Sequence, residues 1–483
     1  MQARNADVKR IEIDKESSYS FLSCDGIGES GLILTTKEKD KQKNATKDHE
    51  ILTFTKYDTL LAKTKSIDAN TTDKGSIYQV TSGSNLYRIS MTKGGEYEIL
   101  FLDGEKMTSK TLNGDIGKKT ILESYVVMGD YIYLSGLQKG LPFVCAVNVK
   151  SGVSQLTNIT PLNKKRFAMM SFEADINQKE VHLFTKELAD KGYIIKLYVF
   201  VDGKQTNEIS IAPDSEDKYP ATAFASKMSD GSYIISGTYS PKDTKRTDRS
   251  TGVFLKKVSN GNTVFSNYTN YLDLKNFTSY MSERKQERVE KKKAKKEAKD
   301  EEFVINYNML PYKVIEDNGK YLLVGEAYYP TYRMESYTVM VGTGNGGMTQ
   351  QTMWRQVFDG FAYTHYFVME FDGQGKMEWS NSAPIEVLKS WVPRRHLSVS
   401  KNASSLEVVY PSFGHMNNVS YGANGEEVSK EEIKYVGDEQ KLKRYYGLDT
   451  EYWFGENFLS SGLLKIKDDD GKRRIFSINK ISF

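Results

Sequence analysis

One phrase occurs three times in this chain, and no other feature restricts its fold as much. It reads Gly129-Asp130-Tyr131-Ile132-Tyr133-Leu134-Ser135-Gly136, then Asp230-Gly231-Ser232-Tyr233-Ile234-Ile235-Ser236-Gly237, then Asn318-Gly319-Lys320-Tyr321-Leu322-Leu323-Val324-Gly325. In each copy a turn dipeptide launches an apolar strand that ends on glycine. A second strand follows, beginning at Phe143, Phe254 and Phe367, and a Gly-bearing turn leads to a third, which ends Leu156-Thr157-Asn158, Phe265-Ser266-Asn267 and Trp379-Ser380-Asn381. An aromatic residue comes next at almost constant distance: Phe167, Phe277 and Trp391. With a further short strand upstream, as at 121–128 or 312–316, each unit holds four antiparallel strands in about 45 residues, the size of a propeller blade.

Looser units fill the gaps at 17–61, 76–106, 167–211, 396–428 and 452–483. The expected fold is therefore all-β, a single β-propeller domain over 1–483 built from eight four-stranded antiparallel blades, with seven as the alternative because the first two units are weakly patterned. Its strands are apolar on both faces, as in Tyr321-Leu322-Leu323-Val324, which suits sheets covered on both sides. The glycines ending the phrase permit close backbone approach where blades crowd toward the axis. Two stacked sandwiches are the competing architecture. The last unit lacks a fourth strand, and Val8-Lys9-Arg10-Ile11-Glu12-Ile13-Asp14 alternates like one, so the N-terminal strand is expected to close the ring.

Composition narrows the function classes. Of 483 residues, 67 are Lys or Arg and 63 Asp or Glu, giving a net charge of only +4, which is no global nucleic-acid signature. Cys24 and Cys145 stand far apart with no CxxC, and two buried free thiols are expected rather than a disulfide. No run approaches the roughly 18 apolar residues of a membrane span. The start, Met1-Gln2-Ala3-Arg4-Asn5, has no apolar signal-peptide core, which suits either a cytoplasmic protein or a mature exported form preceded by an added Met.

Two insertions interrupt the repeat. The first, 278–311, carries a charged segment with nine basic and seven acidic residues between Glu283 and Glu302. It reads as a solvated helix, with Lys291, Lys292, Lys293, Lys295 and Lys296 as a candidate polyanion contact. The second, 328–366, reads as an aromatic and Gly-rich loop. Tyr328, Tyr329, Tyr332, Tyr337, Trp354, Phe361 and Tyr363 are its candidate ligand- or partner-binding residues, either capping the blade core or forming a stacking platform. Gly342-Thr343-Gly344-Asn345-Gly346-Gly347 matches G-x-G-x-x-G, but the hairpin expected after it defeats a dinucleotide site, and a hairpin tip is the expected structure.

No catalytic residue, metal site or cofactor is expected. The five His share no ligand spacing, and no GxSxG or P-loop is present. Asp468-Asp469-Asp470-Gly471 reads as a hairpin turn rather than a calcium loop. Seven N-x-[ST] sequons occur, and because Asn158 and Asn267 belong to the repeat, a structural turn role is expected for them.

The stretch Tyr321 to Arg333 (YLLVGEAYYPTYR), the segments Phe358 to His365 and Phe371 to Lys376, the basic helix and the ending Arg473 to Ile481 resemble a family of uncharacterised proteins of Bacteroidetes bacteria. The resemblance is clearest over 230–483. It implies an N-terminal signal peptide and export to the periplasm or outer cell surface, and it brings no activity. The function expected is a non-catalytic, exported propeller that binds a protein or glycan at the cell envelope. One alternative is a propeller enzyme acting on glycans through carboxylates of the central channel; another is a cytoplasmic scaffold whose basic helix binds polyanions.

Overall fold

In the strand Tyr131–Gln138 successive side chains feed different neighbours. Ile132 and Leu134 pack with Tyr87, Ile89 and Ile99 on one side of the sheet, while Tyr133 packs with Phe172, Leu183 and Phe200 on the other. Tyr321 and Leu323 likewise face one neighbour, and Leu322 and Val324 the next. A strand has a side-chain period of two, so a continuous apolar run fills two interfaces at once.

The computed structural model describes residues 7–482 except 16–18, 47, 165, 190–191, 212–216, 242–248, 313, 343–347, 387, 402–404, 413, 438 and 470. They form eight antiparallel sheets. These span 19–72, 76–115, 120–158, 167–211, 218–270, 308–384 and 398–434, and the last joins 441–482 to the N-terminal strand Asp7–Asp14. In the fifth and sixth sheets the innermost strand is broken in two, as Lys218–Pro220 with Phe224–Lys227 and as Asn308–Pro311 with Ile315–Asp317. Among the described residues, eight apolar clusters each join one sheet to the next, and Leu32, Leu34, Trp453, Leu459 and Ile478 join the eighth to the first. The fold is an eight-bladed β-propeller; a seven-blade count and stacked sandwiches do not fit this cycle of interfaces. Asp7–Asp14 pairs with Gly471–Ser482 from Asp7↔Ser482 to Asp14↔Ile475, completing the eighth blade.

Two repeated residues explain themselves in this ring. A Cβ at Gly136 would strike the carbonyl oxygen of Ile121 on the innermost strand of the same blade, and one at Gly237 that of Thr222 in the break between the two halves of its blade's innermost strand, so the close approach is within the blade rather than between blades. The repeated asparagine, which lies on the outermost strand of its blade, bonds across to the next blade's turn. Asn381 donates to the Gly425 carbonyl at 2.9 Å, and Asn267 to that of Gly375.

The structure corrects several boundaries. The first two blades run on through Lys63–Thr72 and Thr108–Asp115, outermost strands whose polar, solvated sequences hide them. The eighth blade begins at Lys441 rather than 452. Cys24 is free but only partly buried; Cys145 is free and buried, and burial pushes its thiol up to about 12. The insertion expected as a loop over 328–366 is instead a two-stranded ribbon. Lys320–Gly342 and Met348–Phe371 stay paired to Gly342↔Met348 because alternating β-formers continue well beyond the blade. Thr343 to Gly347, the core of the G-x-G-x-x-G match, lie outside the described residues.

Candidate functional site

In a four-stranded antiparallel blade, the hairpin between the second and third strands and the connection to the next blade leave from the same face of the ring. The ribbon is such a hairpin in the sixth blade. The helix Glu283–Glu297 lies in the connection from the fifth blade to the sixth, and 385–397 forms the connection from the sixth to the seventh. All three therefore rise from one face, over the same pair of interfaces.

They enclose a pocket of about 880 Å³. Tyr280, Met281, Ser282 and Lys285 come from the start of the helical insertion, and Tyr307 and Asn308 from its end. Tyr328, Tyr329, Tyr363 and Thr364 come from the ribbon base, and Pro384, Ile385 and Glu386 from the next connection. Arg249 completes the wall. The aromatic side chains are held from beneath. Tyr280 lies flat on the His365 ring at 4.2 Å and donates its phenol to that of Tyr307 at 3.1 Å. His365 is fully buried, its Nδ1 bonds Thr364 Oγ1 at 2.9 Å, and burial lowers its basicity to about 3, so it stays neutral. Tyr363 exchanges hydrogen bonds with the backbone of Arg394, accepting from its N–H at 3.0 Å and donating to its carbonyl at 2.6 Å. Asn308 is only 7% exposed and its Oδ1 has no hydrogen-bond partner among the described residues.

The seven aromatic candidates thus divide. Tyr328, Tyr329 and Tyr363 line this pocket. Phe361 packs between Tyr328 and Phe358 at the ribbon base. Tyr332, Tyr337 and Trp354 stand farther out and not together, because cross-strand partners share a face. Tyr332↔Phe358, Met334↔Gln356, Ser336↔Trp354, Thr338↔Thr352 and Met340↔Gln350 form one face, which has no charged residue. Tyr337↔Met353 shares the other face with Arg333, Glu335 and Arg355, whose ion pairs measure 2.5 and 3.2 Å. On the uncharged face Tyr332, Met334, Met340 and Trp354 are 54–64% exposed. Trp391, itself 67% exposed, meets Phe358 and extends that face onto the ring.

The basic run is split. Lys293 is tied to the ring through Leu272 O at 3.2 Å and Asp273 at 3.0 Å, and Lys296 pairs with Glu301. Lys291, Lys292 and Lys295 make no ion pair among the described residues, and no residue of the helix is buried.

The channel holds groups that the sequence did not single out. Asp25, on the innermost strand of the first blade, accepts from Gln79 at 2.7 Å. Glu451, on the innermost strand of the eighth, accepts the Gly26 N–H at 2.8 Å. Asp449 projects from the same strand two residues earlier and meets Arg394 at 3.1 Å. All three carboxyls are pushed up, first by crowding of protein around them. The negative charge of Asp449 adds to this at Asp25, and those of Asp25 and Asp449 at Glu451, which reaches about 8. Yet Asp449 leaves 51% of its side chain open to water, the combination of crowding and access that a channel wall produces. Farther round, Arg395 of the connection from the sixth blade to the seventh reaches Glu173 of the fourth at 3.4 Å. The spacing Asp449-x-Glu451 was the available signal, since alternate residues of a strand share a face.

Among the described residues no helix is long and apolar enough to cross a membrane. No protein-family model and no curated protein matches the chain. Solved structures similar to it in fold include the Dos1 propeller, at 8% identity and a TM-score of 0.39, covering 93% of this chain and 85% of that one. TolB from Acinetobacter baumannii is similar at 11% identity and a TM-score of 0.30, with 81% and 77% covered. A prolyl endopeptidase is similar at 10% identity and a TM-score of 0.35 over 83% of this chain, which spans only 49% of that protein. Likenesses this distant carry no functional argument.

Proposed function

We propose that this β-propeller is a non-catalytic, exported binding module that holds a protein partner at the cell envelope with the uncharged face of its ribbon. The observation that carries this reading is the row of Tyr332, Met334, Met340 and Trp354, large apolar side chains held in water on a face without a charge. Contiguous exposed apolar surface of this kind marks interaction sites, and Trp and Tyr dominate the energetics of such contacts. Export rests on the resemblance to the Bacteroidetes family. The test is crosslinking capture from native envelope with the wild-type chain and a Tyr332→Ser/Trp354→Ser variant as baits. A specific partner retained by the first and lost by the second, with equal melting temperatures, is the expected result; equal capture by both overturns the reading.

The channel carboxylates favour a second reading, an enzyme acting on glycans. Glu451, held protonated near neutrality, has the property of a general acid, and Asp25 or Asp449 would be its partner carboxyl. Release of reducing ends from a glycan panel, abolished by Glu451→Gln, supports this reading, and activity unaltered in that variant sinks it.

A further inference from the structure

We propose that the pocket at the ribbon base is a binding site for an acidic saccharide, a short chain of sugars carrying carboxylates. This site is separate from the outer ribbon face. Its volume of about 880 Å³ lies in the upper part of the range of small-molecule sites, roughly 300–1,000 Å³, and accommodates more than one sugar ring. Tyrosines dominate the wall, and their rings are fixed in place: Tyr280 by His365, Tyr363 by the Arg394 backbone, Tyr307 by the Tyr280 phenol. Rigid tyrosines offer flat apolar faces to the C–H surface of a sugar and phenols to its hydroxyls at little entropic cost.

The charges give the ligand its sign. Arg249 and Lys285 both border the pocket, and neither makes an ion pair or side-chain hydrogen bond among the described residues. Elsewhere on this surface cations are commonly paired, as Lys293 is with Asp273 and Lys389 with Asp359. Two unpaired cations bordering one pocket suit carboxylates on the ligand. The carboxylate of Glu386 also borders the pocket, where it can accept sugar hydroxyls. Asn308 also borders the pocket, its side chain nearly buried and its enclosed Oδ1 without a hydrogen-bond partner among the described residues. A purely apolar ligand would leave these groups unmatched, and a simple anion would leave the tyrosines unused.

Isothermal titration calorimetry on the full chain, with trigalacturonate, galactotriose and triglutamate as ligands, tests the assignment. Binding of trigalacturonate well above the other two is expected. Arg249→Gln/Lys285→Gln, neither residue being buried, should weaken it by about tenfold or more, and Tyr329→Ala should weaken it as well, with melting curves unchanged. Equal binding of the neutral and acidic sugars, equal binding of the acidic peptide, no binding at all, or full binding by the double variant would each overturn the proposal. The Tyr332→Ser/Trp354→Ser variant should bind the sugar normally, so failure of the ribbon reading and failure of this one are distinguishable.

Discussion

Glu326 is fully buried, and its Oε1 accepts hydrogen bonds from the backbone N–H groups of His396 and Leu397, both at 2.8 Å, and from the Tyr312 phenol. Burial nevertheless prevails and raises its carboxyl to about 7, so the folded protein keeps a proton that the unfolded chain releases near its ordinary value. The stability this group contributes is complete below about pH 4.5 and is lost as pH rises toward 7, an effect on the order of 3 kcal/mol at about 1.4 kcal/mol per pH unit. His365 and His396 are both held down to about 3 by burial and act in the opposite sense, removing stability as pH falls below about 6.5. Thermal melts should therefore show an optimum in mildly acidic solution. Relative to wild type, Glu326→Gln should gain on the order of 3 kcal/mol as pH rises from 4.5 to 7, while Glu451, which acts in the same sense as Glu326, and the two histidines contribute equally to both proteins; a difference that does not vary with pH would assign the effect to other groups. Single residues of this kind were not legible in the sequence. Glu326 is an ordinary Glu after a repeated Gly, and Tyr280, Tyr307 and Asn308 become pocket residues only because separate connections meet over one pair of blades.

At the scale of elements, the repeat was legible because each blade interface draws on alternate residues of the same apolar runs, which leaves a strong periodic mark. The outermost strands were less so, since Lys63–Thr72 and Thr108–Asp115 face water and carry almost no apolar pattern. The ribbon was half legible. Its aromatic content was evident, but the glycines at its tip suggested a loop and concealed the division of 332–342 and 348–358 into a charged face and an uncharged one. Beyond Phe361↔Ser390 the ribbon has no third strand among the described residues, and two-stranded hairpins are only marginally stable in water. Amides of 336–341 and 349–354 should therefore exchange with deuterium far faster than those of 321–324 in the same strands, and a bound partner should slow them selectively. Uniform protection along both strands in the free protein would contradict this account.

At the scale of the whole molecule, the ring depends on a strand from the far end of the chain. Ile11 and Ile13 pack into the cluster between the eighth and first blades, and Arg473 pairs with Glu12 at 3.1 Å and Asp14 at 2.8 Å. Removing 1–14 should lower the melting temperature by roughly 5–10 °C and promote association through the bared edge of Gly471–Ser482. A synthetic peptide of residues 7–14 should reverse both effects, and an unaltered melting temperature would show that closure contributes little. This closing strand was the boldest expectation that the sequence supported, resting on one alternating heptapeptide and one incomplete blade. It also sets a timetable for synthesis. Asp7–Asp14 leaves the ribosome long before its partner Gly471–Ser482 exists, so the nascent chain must carry an unsatisfied strand through the making of seven blades, and closure of the ring must await the synthesis of Gly471–Ser482.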